Sequence, residues 1–264
     1  MPHFPTLETG SLAQYPLRVA RQVRAVVNET PGGERITAFD NLASEWEWAL
    51  DYQGLSLTEA AALRALFHEC EGRRGEFLFA DPCGNLLARS EQFNQAPWQS
   101  DPLLSWTSGI ADPSGGTAAM RVQNNGGTPQ GFRQTIPVPA AYELVFSIWV
   151  RSLSATEIVV RRSSGPESMQ RAVPLGGEWR RIEITAAALA GTTVGGVLTV
   201  EIPGAAAVEF FGAQAEVQRH ASGYRRTLDR AGVFLAARFA QDELTFEADG
   251  PGTVATRLRI SART

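Results

Sequence analysis

The stretch FGAQAEVQRHASGYRRT, residues 211–227, reads as the last strand of a domain and its closing tail, yet 37 residues follow it. Those residues hold RFAQDELTFEADGPGTVATRLRIS, a pair of strands. A lone hairpin is marginal in water, so these strands need a sheet begun elsewhere in the chain. The chain is therefore expected to close on itself around whatever lies between; the competing reading, three units in series, would leave the C-terminal hairpin with nothing to bury against.

The first 83 residues hold such an unfinished sheet. YPLRVARQVRAVV, residues 15–27, partly alternates and predicts one or two strands, and PGG at 31–33 predicts a turn. SEWEWALDYQ alternates cleanly. Trp46, Trp48, Leu50 and Tyr52 fall on one side and Glu45, Glu47, Ala49 and Asp51 on the other, the pattern of a half-buried strand. The period then changes. SLTEAAALRALFHECEG sets Ala60, Leu63, Leu66, Phe67 and Cys70 at helical spacing, with Ser56 or Thr58 to cap the helix and Gly72 to end it. GEFLFADP returns to strand and stops at Pro82.

From Gly84 the composition shifts to loops rich in Asn, Gln, Ser, Thr, Gly and Pro. Between them lie eight short strands: TAAMRVQN, GFRQTIPV, YELVFSIWVRS, TEIVVRRS, SMQRAVPL, EWRRIEITA, GGVLTVEIP and VEFFGAQAEV. Strands with regular turn signals and no helix predict a two-sheet jelly roll. The expected fold is mainly β: a split β-sandwich domain with one α-helix, residues 1–83 and 228–264, plus an inserted jelly-roll β-sandwich, residues 84–227. An insert sits where a host turn brings two chain ends together, here DPCGN at 81–85 and RTLDRAG at 226–232. Phe239, Leu244 and Phe246 are then expected against Trp46 or Phe77.

The 44% apolar and 20% charged residues are those of a soluble globular protein. A net charge of −4 predicts no nucleic-acid binding. All 24 basic residues are Arg, which suits bidentate contacts across interfaces but is more simply the mark of a GC-rich genome. MPHFPTLETGSLAQYP lacks a basic start before an apolar run, so no signal peptide is expected. No run approaches the roughly 18 apolar residues of a membrane helix, so no membrane insertion is expected. Cys70 and Cys83 are read as two reduced thiols, with a disulfide as the alternative. A metal site needs about four ligands, and only His3, His68 and His220 could join the cysteines; His68 and Cys70 are two apart on the predicted helix and so point to different faces.

An enzyme is not expected. G-x-S-x-G, H-E-x-x-H, a Walker loop and a dinucleotide fingerprint are all missing from the sequence. The three histidines make no triad, and Glu45, Glu47 and Asp51 alternate along a strand rather than pairing across a cleft. GPGT at 250–253 and GTTVGG at 191–196 open no predicted helix, which argues against a phosphate loop.

SEWEWALDYQGLSLTEAAALRALFHECEGRRGEFLFADP resembles the N-terminal domain of distal-tail-type proteins of long-tailed bacteriophages and gene transfer agents, and ARFAQDELTFEADGPGTVATRLRI resembles its closing hairpin. NLLARSEQFNQAPW, DPSGGTAAMRV, YELVFSIWVRS, GEWRRIEIT and FFGAQAEVQRHASGYRRT together resemble the carbohydrate-binding-like jelly rolls of phage tail and head-decoration proteins. The resemblance implies a structural protein of the virion tail tip, assembled in the host cytoplasm. It implies a ring, usually a hexamer of the chain itself, that joins the tail tube protein to the hub or tip proteins. It implies an outward module that meets host surface saccharides. The family's usual second domain is missing and the jelly roll stands in its place. A minor tail-tip protein next to the hub, or a stand-alone carbohydrate-binding adhesin or lectin, therefore remains as an alternative.

Saccharide binding uses aromatic faces beside planar polar groups. In LVFSIWVRS, Leu144, Phe146, Ile148 and Val150 form one face, leaving Ser147, Trp149 and Arg151 on the other. Trp149 beside Arg151 either offers a sugar platform or packs under a loop or against the host domain. Trp98 and Trp106 flank QSDPLLS and are either core edge or a loop-borne site, while Trp179 reads as core. The resemblance also implies a structural Ca²⁺ near the chain ends of the module, for which Glu91 and Glu216 are the candidates. No other cofactor is expected.

Overall fold

The computed structural model describes residues 1–152, 154–189 and 194–263, so the first three residues of the glycine-rich run 191–196 lie outside the described residues. In chain order the elements are β1 (Arg18–Glu29), β2 (Arg35–Ser56), α1 (Leu57–Glu69), β3 (Phe77–Ala80), β4 (Gln99–Ser100), β5 (Leu104–Ile110), β6 (Ala119–Asn124), β7 (Gln130–Pro139) and β8 (Leu144–Arg151). They continue with β9 (Glu157–Ser164), β10 (Glu167–Pro174), β11 (Arg180–Ala186), β12 (Val194–Ile202), β13 (Ala207–Glu216), β14 (Val233–Phe239), β15 (Phe246–Gly250) and β16 (Thr253–Arg263). The protein is mainly β, with a single helix among the described residues. It divides into two compact units, Met1–Glu8 with Leu12–Phe79 and Phe234–Thr264, and Thr9–Ser11 with Ala80–Val233.

In the first unit the strands form one sheet in the order β1-β2-β16-β14-β3, with β15 on the free end of β16. The pairing of β16 with β2 runs from Thr253↔Ser56 to Arg263↔Glu45 and sets Leu258 beside Leu50 and Ile260 beside Trp48. These apolar cross-strand pairs fix the register, because a one-residue slip would turn both sets to solvent. Trp48, Leu50 and Tyr52 are buried; Trp46, at the edge, is half-buried and stacks 6.2 Å from Trp48.

Helix α1 starts where Ser56 accepts the Glu59 N–H at 3.2 Å and Glu59 accepts the Ser56 N–H at 2.8 Å, a reciprocal capping box. Gly72, at φ +65°, turns the chain beyond its end and donates to the Phe67 carbonyl at 3.1 Å. Ala60, Leu63 and Leu66 face the core, and Phe67 lies 5.0 Å from Phe239. Phe239 also meets Phe77 at 4.8 Å, whereas Phe246 lies beneath the Arg64 guanidinium. Cys70 and Cys83 are not joined by a disulfide.

The second unit is a jelly roll of two five-stranded sheets, β10-β9-β12-β7-β4 and β11-β8-β13-β6-β5. Its centre is aromatic. Phe132 from one sheet lies 5.2 Å from Phe210 of the other, and Phe93 sits 5.5 Å from Phe132. The segments on which the chain enters and leaves this unit are bound side by side. Asp81 N–H donates to Gly232 O at 2.8 Å, Gly232 N–H to Asn85 O at 2.8 Å and Ser90 N–H to Thr227 O at 3.3 Å. The buried Asn85 amide ties this junction to β13. Its Nδ2 donates to the Ala213 and Arg225 carbonyls at 2.8 and 3.1 Å, and its Oδ1 accepts from Leu87 and Ala215 N–H at 3.0 and 3.1 Å.

Candidate functional site

The two outer faces of the jelly roll differ. On the β8–β13 side, residues 218–227 fold back across the sheet. Ser222 and Arg225 bond Glu216 and Gln214, and the Tyr224 hydroxyl reaches Ser90 at 2.8 Å and Glu91 at 3.0 Å. Burial raises the Tyr224 phenol, and the Glu91 charge raises it further, so it stays protonated. Trp149 is clasped in this cover. Phe211 and Tyr224 lie 5.8 and 5.4 Å away, and Arg181 stacks over the indole at 4.6 Å. Gly212 makes room beneath: it adopts φ +63°, and a Cβ there would stand 3.1 Å from both Trp149 and Tyr224.

The expected saccharide residues are therefore occupied by packing. Trp149 packs under the returning segment, one of the two arrangements expected for it, and remains half-buried. Arg151 pairs with Glu209 at 2.5 Å and stacks over Trp179 at 4.6 Å. Glu209 is shared with Arg121; burial pushes its carboxyl up, but the two guanidiniums outweigh this and hold it below the usual range. Trp98 is buried and donates Nε1 to the Ala88 and Arg89 carbonyls at 3.2 and 3.1 Å. Trp106 lies 5.2 Å from Phe132 at the edge of the core. Of the segment between them, Gln99–Ser100 is β4 and Leu104 begins β5, which leaves residues 101–103 as a turn.

Glu91 and Glu216 do not fit a structural Ca²⁺. Such an ion takes six to eight oxygen ligands, whereas Glu91 faces Tyr224 and the Arg226 guanidinium at 2.9 Å. Glu216 accepts from Gln214, Gln218 and Ser222 and lies 3.5 Å from Arg225. Among the described residues no group of three or more His, Cys, Asp and Glu could hold a metal ion.

The β10-β9-β12-β7-β4 sheet is open on its outer face and carries a groove of about 350 Å³. Strand pairing aligns one row of side chains across all five strands: Gln99 with Arg133, Arg133 with Thr199, Thr199 with Arg161, and Arg161 with Gln170. Arg133 bonds Asp101 at 3.0 Å, and Asp101 also accepts the Gly131 N–H at 2.8 Å. Arg161 bonds Glu201 at 2.8 Å. Sequence reasoning fixed on tryptophans and passed over this face. Its signal was the period of two: Phe132, Val160, Leu198 and Val200 turn inward, leaving Arg133, Arg161, Thr199 and Glu201 outward.

No protein-family model and no curated protein matches the chain. Among solved structures it is similar to the enzymatically active domain of tailspike protein 4 of bacteriophage CBA120, with TM-score 0.42 and 12% identity over 52% of this chain and 22% of that one. It is also similar to TmCBM61 in complex with β-1,4-galactotriose, with TM-score 0.39 and 16% identity over 50% of this chain and 97% of that one. A third is the CBM22-1 xylan-binding domain of Paenibacillus barcinonensis Xyn10C, with TM-score 0.42 and 11% identity over 54% of this chain and 100% of that one.

Proposed function

We propose that the chain is a structural component of a phage or phage-like tail tip. In this reading its first unit assembles into a ring of six that joins tail tube to tip proteins, and its jelly roll meets host surface saccharides. The observation that carries the reading is the asymmetry of β2. At one end, β2 and β1 continue as a two-stranded arm past the last pair of β2 with β16, Glu45↔Arg263, and among the described residues pair with each other, through Asn28↔Ile36 and Val26↔Ala38. Val23, Val26, Val27 and Ile36 stand exposed on this arm. At the other end, roughly 45 Å away along the strand, the same unit carries a cleft of about 730 Å³ beside Tyr15, Asp51, Tyr52 and Arg257.

A projecting apolar ribbon and a recess at opposite ends of one sheet favour head-to-tail association, which gives a ring where the rotation between copies closes and a filament where it does not. A two-fold dimer would join like to like. Mass photometry and class averages of the full chain, alone and with its tube protein, test this. A closed oligomer is expected. A strict monomer in both conditions overturns the tail reading, and a monomer that still binds saccharide makes the chain a stand-alone lectin.

A further inference from the structure

We infer that the open groove of the jelly roll is the saccharide site, and that it takes an uncharged, unbranched oligosaccharide held by hydrogen bonds without an aromatic platform. This rests on the saccharide-binding part of the proposed function and names the surface and ligand class. The row Gln99–Arg133–Thr199–Arg161–Gln170 crosses five strands. The groove itself is lined by the three central members, Arg133, Thr199 and Arg161, which at the usual strand spacing span about 10 Å, enough for about two sugar rings laid across the strands.

The chemistry of the row selects the ligand. Each guanidinium lies beside a carboxylate, Arg133 with Asp101 and Arg161 with Glu201. Each pair presents N–H donors next to acceptor oxygens, which is what two neighbouring sugar hydroxyls require, since each hydroxyl both donates and accepts. The Arg133 and Arg161 side chains remain 42% and 39% exposed, so a ligand in the groove reaches them. The pairs cancel in charge. An anionic chain would gain from the guanidiniums and lose to Asp101 and Glu201, whereas a neutral chain uses all four groups. The only side chain between the two arginines is Thr199, whose hydroxyl continues the row. The groove holds no tryptophan or tyrosine, so single-site affinity is weak and depends on display in several copies.

The test prints neutral hexasaccharides of glucan, xylan, mannan and galactan on an array, with oligogalacturonate as the charged comparator. The full-length chain is applied in multivalent form. Arg161→Ala, Arg133→Ala and Thr199→Leu are compared with wild type, each checked for native near-UV circular dichroism. Thr199→Leu keeps both ion pairs, removes the central hydroxyl and puts a bulkier apolar side chain in its place. Binding of a neutral chain that falls at least about tenfold in the arginine variants and in Thr199→Leu supports the assignment. A neutral chain bound equally by all variants overturns the groove and leaves the saccharide reading standing. Preference for oligogalacturonate overturns the ligand class. No binding by wild type to any printed chain overturns the saccharide reading and the groove with it.

Discussion

The Trp149 and Tyr224 rings meet edge to face, 5.4 Å apart and inclined at 81°. Trp149 lies on β8, and Tyr224 lies on the segment that folds back over β13, so this contact pins the end of the jelly roll to its outer face. Trp149→Ala should therefore act on stability. A fully buried Trp→Ala change costs about 3–5 kcal/mol; for this half-buried ring we expect about 2 kcal/mol in urea unfolding followed by near-UV circular dichroism. Saccharide binding per folded molecule should not change. A tenfold loss of binding at unchanged stability would return Trp149 to a ligand-binding role.

Asn85 makes a second prediction. Its buried amide satisfies four partners, two carbonyls and two N–H groups, and so joins the incoming segment to β13 and to Arg225. Asn85→Ala leaves those groups buried without partners, each costing about 1–3 kcal/mol when unsatisfied. The expected outcome is a loss of at least about 3 kcal/mol, with new proteolytic cleavage within 218–232. Asn85→Asp keeps the acceptor but turns the two donor bonds into repulsion and should be no better. A variant as stable as wild type would show that the junction is held by its backbone ladder alone.

Glu209 gives the pH dependence. Its carboxyl is held below the usual range by Arg121 and Arg151 despite burial. A depressed carboxyl contributes stability above its unfolded value, about 4.3, and loses it as pH falls through the folded value. With the arginine side chains 51% and 30% exposed, screening reduces the contribution to about 1–2 kcal/mol. The stability gap between wild type and Glu209→Gln should be open at pH 7 and narrow steadily below about pH 4. A gap constant down to acid unfolding would mean that the carboxylate charge contributes nothing.

Much of the fold was legible because its strands obey a period of two and its helix a period of 3.6. The Trp48–Tyr52 strand, the Ser56 cap and all eight strands named in the jelly roll appear, as β6–β13. Short β4 and the exposed strand β5 were not legible, because Gln99–Ser100 and LSWTSGI carry little apolar alternation. The surroundings of Trp149 were left open for a related reason. Outward position alone marked Trp149 and Arg151, but position along a strand does not reveal that residues 218–227 return over that face. The continuous burial of β13 comes from the same cover. Arg162 shows the limit in the other direction. It occupies an inward position and is buried, donating to the Ala140, Ala186 and Ala187 carbonyls, with burial pushing its guanidinium down to about 10. Alternation predicted an apolar residue there; the carbonyls that call for a donor are visible only in three dimensions.

The arm of the first unit supplies the last prediction. The pairs Asn28↔Ile36 and Val26↔Ala38 place Val26 and Ile36 on one face of the ribbon, where they are 48% and 54% exposed. Neither contributes to the unit's own core, so the double change Val26→Asp, Ile36→Asp removes no internal packing. Exposed substitutions of this kind shift stability by no more than about 0.5 kcal/mol. In an interface between copies the same two carboxylates would be desolvated without partners, at a cost of several kcal/mol each. The variant should therefore keep the thermal midpoint of wild type and lose the closed oligomer in mass photometry. Retention of a full ring by a folded double variant would remove the arm as the joint between copies and leave the cleft beside Asp51 and Arg257 to some other partner.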